Sequence, residues 1–309
     1  MKIGIGVGPN PGEEGTLDQL LSAFERTEAA GFDSAWIPNI FGFDAIMLLA
    51  LAGRVTSKLE LGTFVVPTYP RHPTALAQQA LSASAATNGR FTLGIGLSHK
   101  VVIENMLGLD YSKPIRHMRE YLSVLMPLLT GAPTQFRGEE YRVGIQVSVP
   151  GAKAPQVIVA ALGPQMLKLA GKMADGTATW MGGPKYLRDT AIPAITASAK
   201  EAGRPAPRIV SGFPVAVTND VAAARESASK IFAMYGTLPS YRAVLDVEGA
   251  PDAAGVAIVG SEQEVEKQIR DLAAAGVTDF NASPYPVAGD PASGQRTIEL
   301  LSALAKAGV

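Results

Sequence analysis

Three histidines carry most of the acid–base capacity of this chain near neutral pH, and their neighbourhoods differ. His99 closes the run Gly94-Ile95-Gly96-Leu97-Ser98-His99-Lys100, a buried-strand pattern ending in small and polar residues. An imidazole at that point titrates near neutrality and suits proton transfer, which makes His99 the candidate proton donor. His72 sits in Arg71-His72-Pro73, where a role at the site and a role in starting the next helix are equally open. His117 falls beside Arg116 and Arg119 in a helical stretch and is expected on a solvated face. Ala160-Ala161-Leu162-Gly163-Pro164 offers a different chemistry. Glycine turns the chain there, Pro164 takes the first helical position, and the N–H groups that follow can hold an anion. An ordinary strand-to-helix loop is the alternative reading of those residues.

What is missing narrows the field further. The chain has no cysteine, so disulfides, thiolate metal sites and cysteine nucleophiles are excluded. It has no His-Glu-x-x-His, no cluster of acids and histidines at metal spacing, and no Gly-x-Ser-x-Gly elbow, so no metal site is expected. Gly94-x-Gly96 begins like a dinucleotide fingerprint, but His99 occupies the place of the third glycine. With so few acid–base groups, the difficult chemistry is expected to belong to a bound organic cofactor. The apolar residues Phe41, Phe43, Trp180 and Met181 fall at strand ends, where they either line a pocket or cap the core.

Such residues need a scaffold that gathers strand ends. Strands are predicted at Lys2–Val7, Ser34–Ile37, Leu59–Val65, Phe91–Ile95, Gln156–Ala161, Gly176–Trp180, Arg208–Val217 and Asp279–Ala282. Helices are predicted at Leu17–Ala30, Ala45–Arg54, Thr74–Ala86, Pro164–Ala174, Lys185–Ala202, Val221–Tyr235 and Glu262–Ala275. About eight alternating units give an α/β fold, a (β/α)8 TIM barrel with its site at the carboxyl ends of the strands. Ala30-Gly31 and Ala275-Gly276 put glycine where a left-handed helix stop is needed. Two stretches are too long for simple connections, Val101 to Val149 after strand 4 and Gly236 to Asp252 after strand 7. The first contains a helix (Ile115–Leu129) and a hairpin (Thr134–Val149). Insertions of this kind form lids or pack against a partner subunit.

A length of 309 residues fits one such domain spanning 1–309. Hydrophobic residues make up 47 %, enough for a large core, and a net charge of −1 leaves no basic surplus for nucleic acid. The longest apolar run, Ala45 to Ala52, is far short of the ~20 residues that cross a bilayer. Strand pattern begins at Lys2 without room for a signal peptide, so a cytoplasmic protein acting on a small molecule is expected.

Five blocks taken in order carry a family resemblance: Ala29-Ala30-Gly31-Phe32-Asp33-Ser34-Ala35-Trp36, Leu61 to Thr68, Arg71-His72-Pro73, Gly89 to Gly96, and Ala174-Asp175-Gly176. In this spacing the chain resembles the luciferase-like monooxygenase superfamily and, within it, the coenzyme F420-dependent oxidoreductases. The resemblance implies a deazaflavin held at the barrel mouth. A bulge after strand 3, with a non-prolyl cis bond at Phe64–Val65, would back the ring, and Pro67 belongs to the same block. Gly96, Leu97, Ser98 and His99 match the loop beside the ring, and Ala161, Leu162, Gly163 and Pro164 match the loop that holds the phosphate side chain. Asn39 matches a position at the ring or its reactive edge. Lys100 and Arg116 could meet the polyglutamate tail. His99 stands where sugar-phosphate-oxidising relatives carry a glutamate, which argues against that substrate. The implied reaction is hydride transfer between reduced deazaflavin and an enone, an imine or a similar compound, in a homodimer. FMN-dependent monooxygenation and cofactor binding without turnover are the competing readings.

Overall fold

Short β-branched strands alternating with one-sided apolar helices bury both surfaces best when a parallel sheet closes on itself inside a ring of helices. In the computed structural model, which describes residues 1–8 and 15–309, the chain does this. Eight strands form the barrel: β1 Lys2–Gly6, β2 Ser34–Ile37, β3 Glu60–Thr63, β4 Phe91–Gly96, β5 Gln156–Ala160, β6 Gly176–Trp180, β7 Arg208–Val217 and β8 Asp279–Pro284. Neighbours are parallel throughout, and β8 pairs with β1 to close the ring. The principal helices are α1 Leu17–Ala30, α2 Ala45–Val55, α3 Pro73–Ala86, α4 Pro114–Leu129, α5 Pro164–Met173, α6 Ile192–Glu201, α7 Val221–Ile231, α8 Pro239–Glu248, α9 Glu262–Ala275 and α10 Ser293–Ala307.

Local chemistry explains the punctuation. Thr16 and Gln19 form a reciprocal cap on α1, as Ser261 and Glu264 do on α9. Both helices stop at glycines with positive φ, 89° at Gly31 and 107° at Gly276, as the Ala-Gly pairs predict. The α10 helix escapes sequence reading because no side chain caps its start. A strand at Ile258–Gly260, on the edge of β7, is too short to show alternation. The helix predicted over Val221–Tyr235 ends at Ile231, followed by a 3-10 turn at Ala233–Thr237.

Residues alternate between two environments along each strand. Ile3, Leu93, Phe213 and Phe280 face outward into the layer beneath the helices and are buried. The interior is filled in tiers. At the amino end Arg208 meets Glu60 at 2.5 Å and Asp279 at 2.5 Å, and it donates to Thr92 and Gln156. Burial alone would push the Glu60 carboxyl up, but the adjacent guanidinium holds it below its ordinary value. Trp36, Ile158, Ala178 and Val210 form the next tier. The carboxyl end carries glycines instead: Gly6, Gly96 and Gly212. One end is plugged by charge and the other left open.

Candidate functional site

The most unusual geometry is where β3 stops. It pairs with β4 through Leu61↔Phe91 and Gly62↔Thr92, and pairing resumes at Val66↔Ile95 and Pro67↔Gly96. Four steps on one strand answer three on its neighbour, which is a bulge. The strand predicted to run through Val65 is therefore interrupted after Thr63, and the Phe64–Val65 peptide bond is cis. A side chain bridges the gap in the ladder. Thr63 Oγ1 donates to the Gly94 carbonyl at 2.7 Å and accepts from the Gly94 N–H at 2.8 Å. Glycine is required opposite: a Cβ on Gly94 would lie 2.0 Å from the Thr63 oxygen, and one on Gly96 2.8 Å from Val65. Phe64 turns into the barrel, its ring 6.0 Å from Trp36 and edge-on to it.

The strand-end residues singled out in the sequence fall along one arc of this rim, after β2, β3, β4 and β5. Asn39 is half-buried, and its Oδ1 accepts from the Ala45 N–H at 3.0 Å and from Arg71 at 3.3 Å. Arg71 also pairs with Asp44 at 2.5 Å, so Asn39 ties the start of α2 to the segment after the bulge. Leu97, Ser98 and His99 are partly exposed beyond β4, and Ser98 holds a left-handed φ of 61°. Burial lowers the His99 pKa, so its ring is neutral at pH 7. The Leu162 carbonyl accepts from the Tyr186 hydroxyl. Gly163 is exposed ahead of Pro164, and α5 has neither a side-chain cap nor an acid in its first turn. Its first N–H groups are therefore free for an anion.

Two histidines resolve differently from their sequence context. His72 is the N-cap of α3, accepting from Thr74 N at 3.3 Å. His117 is not on a solvated face; it is 3 % exposed. Its Nε2 lies 2.9 Å from Thr68 Oγ1 and its Nδ1 3.2 Å from Glu140, while its ring stacks on Tyr69 at 3.9 Å. The spacing His117, Tyr121, Leu125 marks the inner stripe of α4, a signal that the flanking arginines obscure. Arg116 pairs with Glu139 and Glu140. The hairpin Thr134–Arg137 and Arg142–Ile145 is pinned where Glu120 accepts the N–H groups of Glu139, Glu140 and Tyr141 at 3.0, 2.8 and 3.2 Å. Beside it lies a cavity of about 400 Å³ lined by Tyr69, Lys113, His117 and Tyr141 among others.

The second insertion also reaches the mouth. Tyr235 lies 6.0 Å from the Trp180 ring and 5.0 Å from Tyr241, and Tyr241 is 6.0 Å from His99. This arch of rings runs from the end of β6 to the end of β4; the length of Gly236 to Asp252 admits a lid there, but nothing in its pattern singles out these rings. Met181 is buried beneath it with a φ of 49°. Phe41 and Phe43 are instead exposed, at 67 % and 46 %. No cluster of three metal-ligating side chains occurs among the described residues.

The profile of the luciferase-like monooxygenase family matches residues 1–279. The chain belongs to that family. This luciferase-like chain is 28 % identical over 339 aligned positions to the 5,10-methylenetetrahydromethanopterin reductase of Methanopyrus kandleri, covering 100 % of this chain and 91 % of that one. Its fold superposes on the coenzyme F420 dependent tetrahydromethanopterin reductase from the same organism with a TM-score of 0.80, 23 % identity and 97 % coverage of each chain. It also superposes on a type II Baeyer–Villiger monooxygenase of Pseudomonas putida in complex with FMN, at a TM-score of 0.77 and 20 % identity, covering 98 % of this chain and 96 % of that one. Of these two structures of like fold, one is that of a coenzyme F420 dependent reductase and the other is in complex with FMN. The start of α5 carries no side-chain cap, and a Cβ on Gly163 would meet nothing within 4 Å.

Proposed function

We propose that this luciferase-like protein is a coenzyme F420-dependent oxidoreductase of the cytoplasm, acting on a small organic compound such as an enone or imine. The observation that carries the reading is the bulge, where Thr63 replaces the ladder and Phe64 and Val65 turn into the barrel. Reduced deazaflavin, when bound, supplies a hydride to an electron-poor carbon. Phe64, Val65, Pro67 and Gly96 provide the surface behind such a ring, and Leu97, Ser98 and His99 flank it. Ala161, Leu162, Gly163 and Pro164 present the helix start to the phosphate. Asn39 would lie at the edge of such a ring, and His99, in its protonated form, would give a proton to the substrate that accepts the hydride. Alignment across the whole chain with a 5,10-methylenetetrahydromethanopterin reductase, and a fold like that of a coenzyme F420 dependent tetrahydromethanopterin reductase, support this assignment.

Titrating the purified protein separately with coenzyme F420 and with FMN, and following fluorescence, tests the proposal. Saturable binding of F420 well below the concentration needed for FMN is expected; preference for FMN would make the chain a monooxygenase, the reading favoured by the FMN-bound neighbour. Binding without consumption of reduced F420 across enones, imines and quinones would leave a carrier. We assign a homodimer on one further feature. Met47, Leu51 and Val55 project from α2 at four-residue spacing and are 67 %, 40 % and 40 % exposed, next to Ile40 and Phe41 at 64 % and 67 %. A stripe of that size on one helix fits a self-complementary contact.

A further inference from the structure

One rung of the barrel runs Trp180, Gly212, Asn281 across β6, β7 and β8. All three point inward, because a Cβ on Gly212 would meet the Trp180 and Phe64 rings at 2.8 and 3.0 Å. Asn281 is 3 % exposed, and its Oδ1 has no hydrogen-bond partner among the described residues. A buried amide left in this state destabilises the fold, so native proteins rarely keep one without use. The amide lies beside Gly6, which is exposed although it belongs to a barrel strand, and a Cβ there would be 3.9 Å from Oδ1. Asn281 is thus a buried neighbour of the exposed Gly6.

From Trp180, on the same rung as this amide, an aromatic surface begins. Trp180, Tyr235 and Tyr241 lead across to His99, and these four side chains include no lysine or arginine; Lys100, the residue after His99, pairs with Glu104 at 3.6 Å. Arg71, at the rim, is matched by Asp44, and Arg242, beside Tyr241, by Asp246 and the carbonyls of Ala250 and Pro251. Burial shifts His99 down and Tyr235 and Tyr241 up, each toward its neutral form. Such surroundings penalise a charged guest.

We infer that the substrate is an uncharged, largely apolar carbonyl or hydroxyl compound, seated against the Trp180–Tyr235–Tyr241 arch and anchored by the Asn281 amide. This rests on the oxidoreductase reading and deepens it by naming the substrate class. The anchor chooses between neutral polar groups, because an amide offers both an acceptor and a donor edge.

Calorimetric titration of the protein saturated with oxidised F420 tests this, with cyclohex-2-en-1-one and 3-oxocyclohex-1-ene-1-carboxylate as probes. The neutral probe is expected to bind at least roughly tenfold more tightly than the carboxylate. Asn281→Leu should weaken the neutral probe by roughly tenfold, leave F420 affinity within about twofold, and raise the thermal midpoint by removing the orphaned amide. Equal affinities, no saturable binding of the neutral probe, or unchanged affinity in Asn281→Leu would overturn the inference. The F420 titration is separate: its failure, with probe discrimination retained by the cofactor-free protein, would remove the oxidoreductase reading and leave the substrate class standing.

Discussion

At the scale of single residues, the proposed chemistry depends most on His99, whose ring is neutral at pH 7 because burial lowers its pKa from 6.5. Only the protonated imidazole is a strong donor, so turnover in the reducing direction is expected to decline as pH rises, with its midpoint below 6.5. His99→Gln should remove that limb of the pH–rate profile and lower turnover by roughly 10²-fold or more while F420 affinity is retained. Full turnover in the variant would take His99 out of the mechanism. Gly94 makes a sharper structural demand: Gly94→Ala would force a carbon to within 2.0 Å of the Thr63 carbonyl. Its expected cost is about 1–3 kcal/mol, read as a lowered thermal midpoint together with weakened F420 binding. The importance of Gly94 and Gly96 could be read from the sequence only through resemblance. Nothing in their spacing says that Thr63 and Val65 press against them. His117 is the opposite case, since its helical period with Tyr121 and Leu125 was legible and two neighbouring arginines argued the other way.

Among elements, the alternation of strands and helices was visible because each barrel strand is bounded by turn residues and followed by an amphipathic helix. What escaped was set by tertiary contacts. The hairpin of the first insertion owes its place to Glu120, one carboxylate accepting three backbone N–H groups from the turn. Glu120→Gln can accept through only one oxygen and brings an unwanted donor. A loss of about 2 kcal/mol is expected, with hydrogen exchange accelerated across residues 134–145 more than in the barrel. Exchange unchanged in that segment would mean the hairpin is held by other contacts. The aromatic arch is likewise tertiary, joining a turn after α7 and the helix α8 to strand ends far away in sequence.

For the molecule as a whole, the charged plug and the open mouth lie at opposite ends of one barrel. Arg208→Met would leave Glu60 and Asp279 facing each other without a cation, at a cost of about 3–5 kcal/mol near neutrality. The Glu60 carboxyl is depressed in the folded state, so the triad's contribution is complete above the ordinary value of 4.5 and is lost as pH falls through the lower folded value. Melting the two proteins at pH 7 and pH 4 should show the larger gap at pH 7. A gap that widens at pH 4 would contradict the assignment. Met47→Glu, on the exposed stripe of α2, should shift light-scattering mass toward the monomer without altering the circular dichroism spectrum. Neither feature was readable beforehand, because composition and period do not reveal which strand ends share a tier or which apolar helix positions stay uncovered.

The surplus residue between β3 and its continuation has one more effect, on parity. Before it, even-numbered positions such as Glu60, Gly62 and Phe64 look into the barrel; after it, Pro67 is level with inward Gly96, and Thr68 turns out to meet His117. Excising a single residue here would exchange those faces, throwing a hydroxyl into the cavity and stranding an imidazole in the helical layer. Lineages of this chain can therefore exchange side chains along the segment far more readily than they can alter its length.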